Sequence, residues 1–201
     1  MSKMARRNDH SREELKQMAL AAAISIVETQ GHDKLTARYL ARQIGYTPGT
    51  LYNLFGSMDD LYMQINGLTL DCLHDILILE SKSQTKDGIK KMAETYIDFA
   101  VKNTNLWLML FNIPTTISPP EWYAEKIERL FQPLETIIQT IEPTSSEPEV
   151  KQSARTLWAG IHGICTLEIT QKGPMRGKPQ QSATHMSNFL IDRYFQRTEK
   201  N

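Results

Sequence analysis

Little in this chain ties it to an oxidising compartment, a membrane or a metal. It has two cysteines in 201 residues, Cys72 and Cys165, too few for a disulfide framework. Both sit in apolar helical patterns, which predicts buried, reduced thiols in a cytoplasmic protein. No stretch approaches the ~18 apolar residues of a membrane span, so no membrane partner is expected. The first ten residues are basic and polar with no apolar run behind them, unlike a secretory signal. Net charge is absent too, since 23 Lys and Arg balance 23 Asp and Glu. No run alternates with the period of a strand. There is no phosphate-cradling glycine loop, no Ser/His/Asp arrangement and no paired metal motif. His162, Cys165 and Glu168 recur at three-residue steps, but Glu168 lies well round the helix from the other two, too divergent for a metal site. These absences argue against an enzyme and imply neither cofactor nor metal.

What is present is helix throughout, so the expected fold class is all-α, with about nine helices. Ser11 and Glu14 form a capping box ahead of the stripe Leu15, Met18, Ala19, Ala22, Ala23, Ile26, Val27, whose spacing is that of one helical face. Two unusually short helices follow. Thr36 caps the first, which runs to Ile44 and stops at Gly45. Thr47 opens the second, with Pro48 in its first turn where the missing N–H costs nothing, and Phe55 and Gly56 end it. Ser57 with Asp60 starts a longer helix with the stripe Leu61, Ile65, Leu68, Cys72, Ile76, Leu79. Further helices are predicted around Ile89, Met92, Tyr96, Phe99 and around Leu106 to Phe111, before Pro114. Ser118-Pro119-Pro120-Glu121 reads as a cap, proline and glutamate opening another, which contains Pro133. A capping box at Ser146 and Glu149 opens a helix to about residue 172. After a Gly/Pro-rich connector at 173–179, Ser182 begins the last.

Two short helices joined at Gly45 suit a helix-turn-helix. Leu40, Ala41, Ile44 and Leu51 can pack one across the other, and Gly45 supplies the positive φ of the turn. Thr47, Pro48, Gly49 and Thr50 present small groups at the start of the second helix, as a helix entering the major groove of DNA requires. A plain helical corner, serving a protein-interaction module without DNA, would show the same glycine. Charge distribution is mildly uneven. Residues 1–56 hold eight basic side chains (Lys3, Arg6, Arg7, Arg12, Lys16, Lys34, Arg38, Arg42) against five acids (Asp9, Glu13, Glu14, Glu28, Asp33), about +3 against about −3 for the rest.

The stretch from Leu35 to Phe55, with Leu35-Thr36, Ala41, Ile44-Gly45 and Gly49-Thr50-Leu51-Tyr52 followed by Phe55, resembles the signature of the tetracycline-repressor (TetR) family; Ser57 and Leu61 extend the match over residues 11–66. Residues 1–10, with Lys3, Arg6 and Arg7, read as a basic flexible tail; the resemblance implies a DNA-binding domain (11–66, helix-turn-helix 36–55) and a helical ligand-binding and dimerisation domain (67–201). It implies a DNA-binding transcriptional regulator, usually a repressor, on a near-palindromic operator of double-stranded DNA. Thr36 would cap its helix and touch a phosphate, or only cap. Thr47, Pro48, Gly49 and Thr50 would face the groove. Tyr52 would bond a phosphate or pack half-buried, and Asn53 would contact a base or phosphate. Arg38 would reach a base edge or the backbone, Arg42 a solvated face. Two departures, Leu54 and Met58, stand where relatives carry likelier phosphate contacts, which implies weaker and less salt-sensitive affinity.

Asn103 to Phe111 and Leu157 to Glu168 resemble a subgroup of the family with a Trp…His-Gly motif in its penultimate helix. That implies regulation by a small-molecule effector of unnamed identity, and homodimerisation through the last two helices; the aromatic and methionine supply around residues 107–131 makes the expected effector apolar or amphipathic, releasing the protein from its operator. Trp107, Met109, Phe111, Trp122, Tyr123, Phe131, Trp158 and His162 are the candidate ligand-site residues, although core packing is the default role for any one of them. His162 is expected to hydrogen-bond inside the bundle, with Gly163 letting a neighbouring helix come close. Val150, Leu157, Ile161 and Ile164, with Met186, Phe189 and Leu190, are the candidate dimer interface.

Overall fold

A computed structural model of the chain describes residues 10–112, 118–171 and 182–196. The basic tail with Lys3, Arg6 and Arg7, Pro114 and the connector at 173–179 lie outside them. Among the described residues there are nine α-helices and no strand: α1 (Arg12–Gln30), α2 (Ala37–Ile44), α3 (Pro48–Phe55), α4 (Met58–Glu80), α5 (Lys86–Lys102), α6 (Thr104–Asn112), α7 (Glu121–Ile141), α8 (Glu147–Thr170) and α9 (Ala183–Phe195). A single 3-10 turn, His32–Lys34, joins α1 to α2. None of these helices is long and apolar enough to cross a membrane.

Local signals set most helix starts. The Ser11 hydroxyl accepts from the Glu14 amide at 3.2 Å while Glu14 accepts from the Ser11 amide at 2.7 Å. Both bonds satisfy amides that a helix start leaves open. Ser146 and Glu149 repeat the box at α8. The start of α7 differs from expectation. Pro120, not Ser118, occupies the N-cap position, without a side-chain cap. The residue before a proline is pushed away from helical backbone, which disfavours helix at both Ser118 and Pro119, and α7 begins only after the second proline.

Contacts divide the chain into two units, Met1–Thr69 with Asn105–Pro119 and Leu70–Thr104 with Pro120–Asn201. The first packs α1, α2, α3 and the start of α4 around Ala19, Ala23, Val27, Leu40, Leu51, Phe55, Leu61 and Ile65. Helix α6 joins this unit, because Leu106 and Met109 bury in the same core and the Asn105 side chain donates to the Glu28 carbonyl at 2.8 Å. In the second unit α5, α7, α8 and α9 pack with the later turns of α4. Lys126 and Arg129 of α7 both pair with Asp71 of α4, the arginine at 3.0 Å. Arg155 of α8 reaches Glu128 at 2.7 Å and Glu135 at 2.9 Å on α7.

The stripe expected along α4 holds only for its first two positions. Leu61 and Ile65 are buried, but Leu68, Cys72 and Leu79 are exposed, and Met63, Leu70, Leu73 and Leu77 are buried instead. So one thiol, Cys72, is exposed. Cys165 is buried, and its burial beside the Glu168 carboxylate pushes its pKa up to about 12.

Candidate nucleic-acid interface

Helices α2 and α3 are set by short-range bonds. The Thr36 hydroxyl accepts from the Tyr39 amide at 3.2 Å. Gly45 takes a left-handed conformation (φ 76°, ψ 26°), and the next amide, Tyr46, returns to the Ala41 carbonyl at 2.9 Å. This closes the end of α2 and turns the chain sharply. The Thr47 hydroxyl accepts from the Thr50 amide at 3.4 Å and shares a second bond with the Thr50 hydroxyl at 3.0 Å. Leu51 and Phe55 are buried against Leu40 and Ala41, which holds α3 across α2.

Ala37, Tyr39, Ile44 and Leu54 are partly buried against the same core, and the polar positions of the element face outward. Thr36, Arg38, Thr47, Gly49 and Asn53 are exposed, Tyr52 is 49% exposed, and Pro48 and Thr50 are half-covered. Residues 36–56 contain two arginines and no acid, and the positive end of the α3 dipole lies at Thr47 and Pro48. Arg42 stacks over the Tyr39 ring at 5.2 Å. The departures Leu54 and Met58 pack against the hydrophobic core, so this chain spends those two positions on packing.

The second unit holds a small, partly open apolar cavity of about 50 Å³. Its lining comes from α4 (Leu77), α5 (Ile89, Met92, Ala93, Tyr96), α7 (Leu130, Phe131, Leu134) and α8 (Trp158, Ile161). The Tyr96 hydroxyl and His162 Nδ1 share a hydrogen bond at 2.8 Å. His162 lies over Trp158 (5.0 Å between centroids), Trp158 meets Phe131 edge-on at 5.6 Å, and the Arg155 guanidinium covers Phe131 at 4.8 Å.

Of the eight candidate ligand-site residues, only Phe131 and Trp158 line this cavity, with His162 behind them. Trp107, Met109 and Phe111 lie in the first unit, Met109 fully buried in its core. Trp122 is 40% exposed and Tyr123 buried; their rings meet edge-on with centroids 5.6 Å apart, and neither is among the lining residues. Sequence reasoning missed the α5 contribution, although Ile89, Met92 and Tyr96 were visible there as an apolar stripe.

The candidate dimer residues also divide. Val150, Leu157 and Ile161 point into the second unit and are buried there, so none is open to a partner. Ile164 of α8 and Met186, Phe189 and Leu190 of α9 line an open groove of roughly 520 Å³, with Gly160, His185 and Arg193. The apolar arc of α8 is one broad band. Helical periodicity shows its width but not which part the chain itself covers. The close helix approach is at Gly160, not Gly163: a Cβ on Gly160 would lie 2.5 Å from the Leu190 side chain, whereas Gly163 has nothing within 4 Å.

Two family models match the chain, "Tetracyclin repressor-like, C-terminal domain" over residues 89–190 and "Bacterial regulatory proteins, tetR family" over residues 19–65. The chain belongs to the TetR family. It is a transcriptional regulator with a DNA-binding helix-turn-helix. An uncharacterized HTH-type transcriptional regulator of Mycobacterium tuberculosis is 23% identical over 149 residues, 74% of this chain and 67% of that protein. Among solved structures, a protein of unknown function from Rhodococcus sp. RHA1 superposes with TM-score 0.75 at 19% identity, covering 96% of this chain and 98% of that one. NalD, the secondary repressor of the MexAB-OprM multidrug efflux pump in Pseudomonas aeruginosa, superposes with TM-score 0.54 at 16% identity, covering 92% and 95%. These likenesses extend the TetR-family fold over nearly the whole chain.

Burial lowers the His162 pKa of this TetR-family protein below the usual imidazole value. The sign of the resulting pH dependence follows. As pH falls below about 6.5 the unfolded chain takes up a proton on this ring, while the folded chain resists until lower pH. Stability present above that range is therefore lost as pH drops towards the depressed value. Thermal melting of wild type should fall between pH 7 and pH 5 more steeply than that of His162→Gln. Equal slopes would remove the ring from the account.

Proposed function

We propose that this regulator represses transcription by binding a near-palindromic operator as a homodimer, and that a small, neutral, apolar effector releases it. The observation that carries the DNA reading is the outer face of α2 and α3. It combines two arginines, no acid, an exposed Gly49 and Asn53, and a hydroxyl pair at the helix start. Thr47, Pro48, Gly49 and Thr50 would approach the major groove, Asn53 a base edge, and Thr36, Arg38 and Tyr52 the backbone or flanking edges. Two copies would place their recognition helices about 34 Å apart, one turn of DNA. A dimer seated on a promoter blocks polymerase, and NalD, a structural neighbour, is itself described as a repressor.

The effector reading rests on the cavity. Ten residues line it, none of them charged, and the guanidinium that covers Phe131, Arg155, is already engaged by Glu128 and Glu135. An aromatic molecule needs more than the present ~50 Å³, since a cavity of about 150 Å³ accommodates benzene. Binding would therefore part the helices, and Leu77 puts α4 among those that move. A ligand acts only through its differential affinity for the two states. Helix α4 begins directly after the recognition helix, so its displacement would shift the reading heads.

The test is binding to a duplex selected by the wild-type protein from a random pool. Thr50→Ala and Asn53→Ala should each weaken selected-duplex binding in fluorescence anisotropy, by about 1–3 kcal/mol where a base contact is lost. If both variants bind as tightly as wild type, α3 is not the reading head.

A further inference from the structure

Helix α3 is eight residues long and buries only Leu51 and Phe55. These two side chains, one turn apart, hold the helix down along a single line. Leu54, partly buried, flanks that line, but little else opposes a roll of the helix about it. The roll matters. Turning the helix by about 20° carries a side-chain tip, some 5–6 Å from the axis, through roughly 2 Å. A base-edge hydrogen bond does not survive that displacement.

Two polar contacts from the start of α1 meet α3 at its two ends. At the entrance, His10 Nδ1 and the Tyr46 hydroxyl share a hydrogen bond at 3.0 Å, with the rings edge-on at 6.3 Å. Tyr46 directly precedes the N-cap, Thr47. At the exit, Arg12 Nη2 donates to the Asn53 carbonyl at 3.1 Å, in the last turn, where a cation also suits the helix dipole. His10 and Arg12 flank Ser11, whose capping box fixes the first turn of α1. One rigid point thus grips both ends of a helix that lies 36 and 41 residues further along the chain.

We infer that Arg12 and His10 are positioning residues that set the roll of the recognition helix and so contribute to sequence discrimination. Neither needs to touch a base. The inference rests on α3 being the reading head. It separates from a simpler role for Arg12, a charge near phosphates, because a phosphate contact strengthens binding to all sequences alike, whereas a roll tether affects only the correct one.

The experiment uses the full chain, the selected duplex, and a scrambled duplex of the same length and composition, across a salt series. Arg12→Lys keeps the charge on a side chain one bond too short for the Asn53 carbonyl. His10→Phe and Tyr46→Phe remove the second tether while keeping both rings. Each should lose about 3–10-fold in affinity for the selected duplex, with scrambled-duplex affinity, salt slope and melting temperature unchanged. His10→Phe combined with Tyr46→Phe should lose no more than either alone, since one bond is removed once. The tether is overturned if the ratio of selected to scrambled affinity stays at the wild-type value, if both affinities fall together, or if the loss follows a drop in melting temperature. Wild type showing no salt-dependent binding to any duplex would overturn the DNA reading itself, and the tether with it.

Discussion

Phe189→Glu should sediment as a monomer and bind the selected duplex about 100-fold more weakly, or worse. Phe189 is 57% exposed on α9, unusual for a large aromatic, and it borders the groove with Ile164, Met186 and Leu190. A two-fold interface uses the same patch on both subunits, so one substitution places two carboxylates in it. Each would lose water without gaining a partner across the axis. Arg193, one turn on, lies over the Phe189 ring at 5.1 Å and could pair with a glutamate in its place. Phe189→Lys, beside the same arginine, removes that escape and should dissociate the dimer as well. Loss of the second half-site explains the size of the effect on DNA, because linked sites gain a factor of about 10²–10⁴ from effective concentration. Sedimentation velocity and anisotropy read the two consequences separately. If both variants remain dimeric, the interface lies elsewhere, and the exposed α4 positions Leu68 and Leu79 are then the next to substitute.

The parts of this molecule legible in the sequence are those decided within a few residues. Thr36, Gly45, Thr47 and Pro48 state where two short helices start and turn, and each makes a bond within five residues of itself or fixes its own φ. The α6 helix itself was legible, but the unit it packs in was not, because its contacts are remote. Leu106 to Phe111 reads as an apolar helix whichever core it joins, and the bond from Asn105 that ties it to the first unit spans 77 residues. Helix α4 misled for a different reason. Its covered face includes Asn66 and Thr69, polar residues that break the apparent stripe, and Thr69 is satisfied locally by the Ile65 carbonyl at 3.1 Å. Hydrophobic periodicity therefore favoured Leu68 and Cys72 on the neighbouring face. On α8 the same limit appeared as a band too broad to divide. Residue type showed that Val150, Leu157, Ile161 and Ile164 would all avoid water, but not which of them the chain covers by itself.

The same distinction relocates the site of effector control. Placing a bulkier residue at Met109 would overpack the core of the first unit, where Met109 is fully buried, and cost about 1–3 kcal/mol of stability. DNA binding would then suffer with or without effector. Ala93 is the better position, since it lines the cavity from α5 opposite Phe131 and Trp158 of α7 and α8. Ala93→Val adds two methyl groups to a space of about 50 Å³ and should leave operator binding within about 2-fold of wild type while removing the effector response. The neutral fluorophore N-phenyl-1-naphthylamine serves as probe. It should bind wild type, lower its affinity for the selected duplex, and bind Ala93→Val at least about 10-fold more weakly, the loss an overpacked pocket produces. A naphthoate of similar size should bind wild type poorly, because the cavity offers its carboxylate no cation and desolvation is uncompensated. Tight naphthoate binding would mean that Arg155 leaves Glu128 and Glu135 to meet it. An Ala93→Val protein that binds the probe and releases DNA like wild type would place the effector outside this cavity, and the coupling through α4 would lose its support.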